Sequence, residues 1–274
     1  HETKDSYFTQ PYNNAGVTFI FRDQNDPDGL GEVFAKQTFT NWSPEATLTW
    51  KPSRDLLVYG AYKTAYKSGG FSNGGINSKF STDPFGDLTF NPERARGFEA
   101  GVKSTLMDNQ LRLNLGLYSY AYKDLQVDFF NSPIFAFQTL TADARTKGVE
   151  LEFEYAPRSV SGLNLHGSIN YNRARYTSFP QAPCYAGQSI AEGCDIVLAG
   201  GGVRQSLNGK PLSVAPKWTG TIGASYDAPM GNGLMLGVSA DMRYSSSYLA
   251  SGFGNPDSRQ SSYVVLDAGA RVST

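Results

Sequence analysis

The chain of 274 residues has no run of the roughly 18 to 20 consecutive apolar residues that a membrane-crossing helix requires. It has almost no net charge, with 24 Lys and Arg against 25 Asp and Glu. No basic cluster is interleaved with aromatic residues in the way a single-strand nucleic-acid groove needs, so nucleic acid is not an expected partner. Histidine is limited to His1 and His166, and no G-x-S-x-G sequence is present. A Ser-His-Asp enzyme would have to be built on His166, beside a tight turn, where a solvated wall residue is the better reading. The chain is not expected to be an enzyme, and no cofactor is expected.

Glycine and aromatic residues are plentiful: 29 Gly, 17 Phe, 16 Tyr and 3 Trp. From about Thr47 onward, alternating polar and apolar residues are joined in turn by tight connections and by long polar ones. The tight turns fall near Pro52 to Arg54, Met107 to Asn109, Pro157 to Gly162 and Pro229 to Gly233. The long connections are Ser68 to Pro92, Asn131 to Thr141, Ser178 to Leu212 and Ser251 to Ser262. Short turns on one side and long loops on the other mark an outer-membrane β-barrel, whose strands expose only every second residue to lipid.

The strands sort into two faces. Leu111, Leu113, Leu115 and Leu117 alternate with Arg112, Asn114, Gly116 and Tyr118, while Val149, Leu151, Phe153 and Tyr155 alternate with Glu150, Glu152 and Glu154. Three glutamates cannot face hydrocarbon, so they face a wet lumen, as a charge ladder with Arg112 and Lys103 on the two preceding strands. Arg112 is expected close to Glu154, and Lys103 is expected to share in the neutralisation. The pattern gives about nine strands, near 33–51, 55–67, 93–106, 110–129, 142–156, 162–177, 213–228, 233–248 and 262–272. Strands of ten or more residues exceed the ~5 to 6 typical of a soluble sandwich. Trp42 and Trp50, then Trp218 and Tyr226, bracket the apolar face as interfacial girdles would. The fold class is therefore all-β, a transmembrane antiparallel β-barrel of which residues 33–274 supply a part and residues 1–32 an extracellular, irregular segment.

At this point the residues resemble a family. The run Tyr59-Gly60-Ala61-Tyr62-Lys63-Thr64-Ala65-Tyr66-Lys67-Ser68-Gly69-Gly70-Phe71 is similar to a strand-to-loop signature of TonB-dependent receptors. Trp42 to Trp50, Phe98 to Lys103, Ala144 to Glu150 and Ala215 to Trp218 resemble further pieces of it, in the same order. The resemblance implies the later part of a 22-stranded barrel closed by a plug domain. It also implies energy-dependent uptake of a scarce ligand, most commonly a ferric siderophore, through TonB, in the outer membrane of a Gram-negative bacterium. A passive porin, or uptake of cobalamin, haem or an oligosaccharide, is the alternative. Nothing here resembles the plug, the TonB box or the family's final strands. The chain opens at His1 without an initiator Met or signal peptide and ends in mid-strand at Ala270 to Thr274, as a fragment would.

Candidate sites lie mostly at the long-loop end. Cys184 and Cys194, with nine residues between them in the longest loop, read as a disulfide, since two thiols without a nearby histidine leave zinc short of ligands. Tyr66, Phe71, Asn73, Phe85 and Tyr185 are candidate ligand contacts, because aromatics and amides at a barrel mouth can bind chelates or sugars. The oxygen-rich stretch Asp23 to Gly29 lacks an EF-hand's spacing and reads as a solvated turn, and no metal site is expected. The glycines of Ser68 to Gly75 have no phosphate-loop Lys-Ser/Thr after them. Continuing the outward face past the leucines places Arg94, Arg96, Lys123, Arg145, Lys147, Arg173 and Arg175 in a cationic belt at the extracellular interface, suited to the phosphates of lipopolysaccharide.

Overall fold

A computed structural model describes residues 2–9, 32–72, 89–131, 136–198 and 202–274. Strands β1 (Glu2–Thr9) and β2 (Glu32–Phe39) pair as an antiparallel hairpin. Nine further strands form one antiparallel sheet: β3 (Glu45–Ser53), β4 (Leu56–Lys67), β5 (Glu93–Leu106), β6 (Leu111–Asn131), β7 (Ala136–Tyr155), β8 (Leu163–Ser178), β9 (Trp218–Gly231), β10 (Leu234–Ser245) and β11 (Tyr263–Ser273). Each pairs only with its neighbours in sequence, so the sheet is a pure meander with β3 and β11 at its edges among the described residues. The tight turns are local chemistry. Asn232, between Gly231 and Gly233, takes φ 53°, and Met107, Asp108 and Asn109 take 54°, 54° and 69°. Glycine and asparagine tolerate this region best.

Registers confirm the two faces. Val58, Val102, Leu115, Leu151, Ile169, Gly220, Tyr244 and Val264 stand in one row across eight strands. The next rows hold Leu113, Phe153, Gly167, Ile222, Met242 and Leu266. Such large apolar groups are open to the surroundings: Phe98 is 66% exposed, Ile222 51% and Leu266 74%. An apolar face this broad, uncovered by any second layer of the described residues, suits hydrocarbon rather than water. The opposite face carries Arg112, Asn114, Glu150, Glu152, Glu154, His166 and Asp241. Gly101 lets its strand approach this face closely, because the ring of Tyr59 lies 2.6 Å from where a Cβ would stand.

Four expectations are corrected. Residues 33–51 are not one strand: Thr40 to Pro44 is a non-strand crossover, in which the Asn41 side chain donates to Ser43 Oγ at 2.7 Å and Pro44 has no amide for a ladder. Trp42, 85% exposed, sits on that crossover rather than in a strand. The segment before residue 33 is not wholly irregular, since Glu2–Thr9 pairs with Glu32–Phe39. Most of Asn131 to Thr141 is strand, because β6 and β7 continue pairing to Asn131↔Ala136. About ten residues cross a bilayer, so roughly half of each strand of this hairpin, 21 and 20 residues long, projects beyond it. The acidic stretch 23–29 lies outside the described residues.

A β-bulge makes this projection useful. Between Tyr122↔Ala144 and Leu125↔Ala142, β6 spends two residues against one on β7. Asp124 takes φ 54° there, and the Asp143 carboxylate accepts from the Asp124 amide at 3.1 Å and from Lys123 Nζ at 2.8 Å. One extra residue inverts the alternation of β6. Leu125 and Val127 therefore turn to the lumen side, facing Ala142 and Leu140. They belong to one apolar cluster with buried Tyr176, Phe179, Ala182 and Leu207 and partly buried Leu212 and Phe253. The core thus lies between the inner side of this projecting hairpin, with Tyr176 of β8, and a lobe formed by residues 178–198 and 202–212 that leans on it.

Candidate functional site

The site offered by this geometry is the polar inner face and the mouth above it. Side chains on the inner face are tied strand to strand. Lys63 Nζ lies 2.9 Å from Glu99, which also accepts from the Tyr120 hydroxyl. Arg112 pairs with Glu154 at 3.2 Å, as the sequence leads one to expect, and Asn164 donates to the same carboxylate at 3.1 Å. Glu152 is met by Asn114 rather than by Lys103. Farther along, His166 Nε2 lies 2.9 Å from Asp241, Arg243 lies 3.7 Å from Asp267, and Arg271 lies 3.0 Å from Asp227. These pairs are half-exposed or exposed, so they fix side-chain positions more than they stabilise the sheet. They make a wettable wall. Among the described residues no His/Cys/Asp/Glu group could hold a metal ion.

At the mouth, Cys184 and Cys194 form a disulfide with Cα atoms 5.7 Å apart. Gln205 is buried beside it and donates to the carbonyls of Pro183 and Phe253, while Gln188 donates to Gln205 Oε1. These bonds join the lobe to the loop after β10. Within the staple, Ser189 caps the 3-10 turn Ile190–Glu192, its amide and hydroxyl both donating to Glu192 at 2.8 Å. Those two donors, the amide first, hold the Glu192 carboxyl below its usual range. Tyr185 lies beside it, and desolvation, followed by the charges of Glu192 and Asp257, pushes its phenol up.

The ligand candidates fare unevenly. Tyr185 is half-buried in the lobe, and Phe71 belongs to a two-residue strand, Gly70–Phe71, that pairs with Thr89–Phe90. Asn73 and Phe85 lie outside the described residues. Tyr66 belongs elsewhere: it stands opposite Arg94 on the outer face, with that guanidinium 5.9 Å from its ring centroid. Its face is legible in the alternation of β4, which puts Tyr66 on the parity of Val58 and Tyr62; nearness to a loop does not decide the face. The lumen group Lys63, Glu99 and Tyr120 was equally open to discovery through that alternation, since all three fall on the polar parity.

All seven belt cations are exposed and share the face of the leucines. Three pairs stand directly opposite one another with like charge: Arg94↔Lys123, Arg145↔Arg175 and Lys147↔Arg173. Lys123 is neutralised by Asp143, so its first duty is to clamp the bulge. Arg175 donates to the Gly209 carbonyl at 2.6 Å. Arg94, Arg96, Lys123 and Arg145 line a groove of about 510 Å³ below Asn41, Trp42 and Ser43.

Comparison with known proteins agrees with this geometry. The family model described as TonB dependent receptor-like, beta-barrel matches residues 8–273. The metal-pseudopaline receptor CntO of Pseudomonas aeruginosa is 27% identical over 146 residues in one strain and 30% in another, covering 53% of this chain and 18% of the relative in both. The chain thus spans about a fifth of the curated relatives it matches. Among solved structures, the siderophore receptor PiuA from Acinetobacter baumannii superposes with a TM-score of 0.61 at 20% identity, over 88% of this chain and 31% of that one. The ferric yersiniabactin uptake receptor FyuA from Yersinia pestis gives 0.57 at 16%, over 88% and 30%. At such identities the structures establish the fold.

Proposed function

The chain belongs to the TonB-dependent receptor β-barrel family, and from that premise we propose that residues 33–274 form wall and mouth of a receptor for energy-dependent uptake of a metal chelate, in the first instance a ferric siderophore. The observation that carries this reading is one sheet with a lipid-compatible outer face, a cross-linked polar inner face and a stapled lobe leaning inward over the mouth. A ligand caught by the lobe would pass down a wall of fixed carboxylates, amides and hydroxyls that replaces its hydration without trapping it in an apolar pocket. The relatives named for metal-pseudopaline, yersiniabactin and other siderophores favour a chelate over a sugar. The reading includes the outer membrane of a Gram-negative bacterium, a plug domain that engages TonB, and lipopolysaccharide as the partner of the outer cationic belt. Phe71 and Tyr185 are the described candidates for ligand contact.

The test is uptake of radiolabelled metal chelates, cobalamin and haem by cells carrying the receptor, with and without TonB. Chelate uptake that needs TonB and weakens severalfold on Tyr185→Ala or Phe71→Ala is expected. Uptake indifferent to TonB would replace the reading with a passive channel.

A further inference from the structure

The outer face of β7, β8 and β9 holds a feature that uptake does not use. Lys147 and Arg173 stand directly opposite each other, and no carboxylate of the described residues pairs with either. Like charges so placed repel, at Cβ separations of about 5 Å. Arg145 and Arg175 repeat the arrangement one outward row higher, about 7 Å away. Clustered on one face at the extracellular interface, four cations repel one another, a cost that an anion between them would remove.

One outward row below Lys147 and Arg173 the surface becomes concave and apolar. Val149, Leu151, Ile169, Tyr171 and Trp218 line a cup of about 340 Å³. The rings of Tyr171 and Trp218 meet at 4.7 Å to form one wall, and Lys217 Nζ stands 5.6 Å from the Tyr171 centroid. Gly220, opposite both Ile169 and Tyr244, contributes no side chain to this face and leaves the cup open downward.

We infer that this surface is a defined seat for one lipid A moiety of lipopolysaccharide, with a phosphate between Lys147 and Arg173 and one acyl chain in the cup below. The inference rests on the belt reading and sharpens it from a diffuse strip to a site of two halves. A free phosphate engages only the upper half and an uncharged detergent only the lower. A phosphorylated, acylated lipid engages both, with its charged and apolar parts in the same vertical order as the site, and the arginine adds bidentate bonding to phosphate.

The experiment is native mass spectrometry of the receptor purified from outer membranes, titrated with lipid A, dephosphorylated lipid A or inorganic phosphate. The variants are Lys147→Gln/Arg173→Gln, Ile169→Trp to fill the cup, and Arg94→Gln/Arg96→Gln outside the seat. Heat-modifiable electrophoretic mobility checks that each barrel is folded. One tightly held lipid A is expected, weakened at least tenfold by the first variant and severalfold by the second, and little affected by the third. Dephosphorylated lipid A should bind the unaltered receptor as weakly as lipid A binds the first variant, and inorganic phosphate should not be retained. If the cation variants weaken binding but Ile169→Trp does not, the two-part seat is wrong and the belt stands. If neither pair of cation substitutions changes lipid A retention, the belt falls with it.

Discussion

Leu115 shows how much a single position on this sheet is determined by its face. It stands in the row of Val102, Leu151 and Ile169, 42% exposed, with Asn114 and Gly116 on the other side of the strand. Leu115→Arg should cost ~2 to 4 kcal/mol of folding free energy from lipid vesicles, read by denaturant titration. Asn114→Arg, one residue away and facing water, should cost far less. An equal cost for the two would mean that the faces are misassigned. Glu192 carries a pH dependence of known sign. Its folded carboxyl is held below the usual range, so its support for the Ser189 cap is present above the ordinary carboxylate pKa and is lost as pH falls through the folded value. Amide exchange across residues 189–194, relative to unfolded-chain rates, should rise on acidification, and Glu192→Gln should remove that dependence.

Among elements, the lobe and the bulge beneath it depend on each other. Leu125 and Val127 reach the lobe only because Asp124 adds a residue to β6, and the lobe that covers them is itself stapled at Cys184 and Cys194. Closing a loop of this length is worth on the order of 3 kcal/mol through the unfolded chain. Replacing both cysteines with serine should raise hydrogen exchange through Phe179 to Leu207 while leaving Leu163 to Asn172 unchanged. Mass spectrometry of the unreduced receptor should find the peptide pair two hydrogens lighter than its reduced form. Exchange that rises equally in lobe and sheet would mean that the staple supports the wall as well.

The whole sheet is constrained by its edges. Every residue of β3 and β11 is exposed, and their outer ladder groups have no strand beside them among the described residues. Open edges are not tolerated in hydrocarbon, and bacterial single-chain barrels close with an even number of strands. The 274-residue chain refolded alone in detergent should therefore associate through these edges. Analytical ultracentrifugation should show dimers or larger species, and a stable monomer would contradict the need for further strands.

The sequence by itself determined the strands, their two faces and the side on which each turn is short, because a period of two is a property of neighbours along the chain. It also placed Arg112 beside Glu154, since both lie close to tight turns that set the register. The two thiols could be paired from the sequence because an exported chain with two cysteines in one loop and no histidine near them offers a disulfide and not a zinc site. Tertiary structure decided what depends on residues distant along the chain. It broke the expected strand 33–51 at Asn41 to Pro44, and it inverted β6 at Asp124 through a carboxylate from the next strand. It folded residues 178–198 and 202–212 onto that inverted surface, placed Tyr66 against Arg94 on the outer face, and set Lys147 opposite Arg173 above an apolar cup. Alternation says which way a side chain points. Only the register of strands joined by hydrogen bonds says which side chains meet.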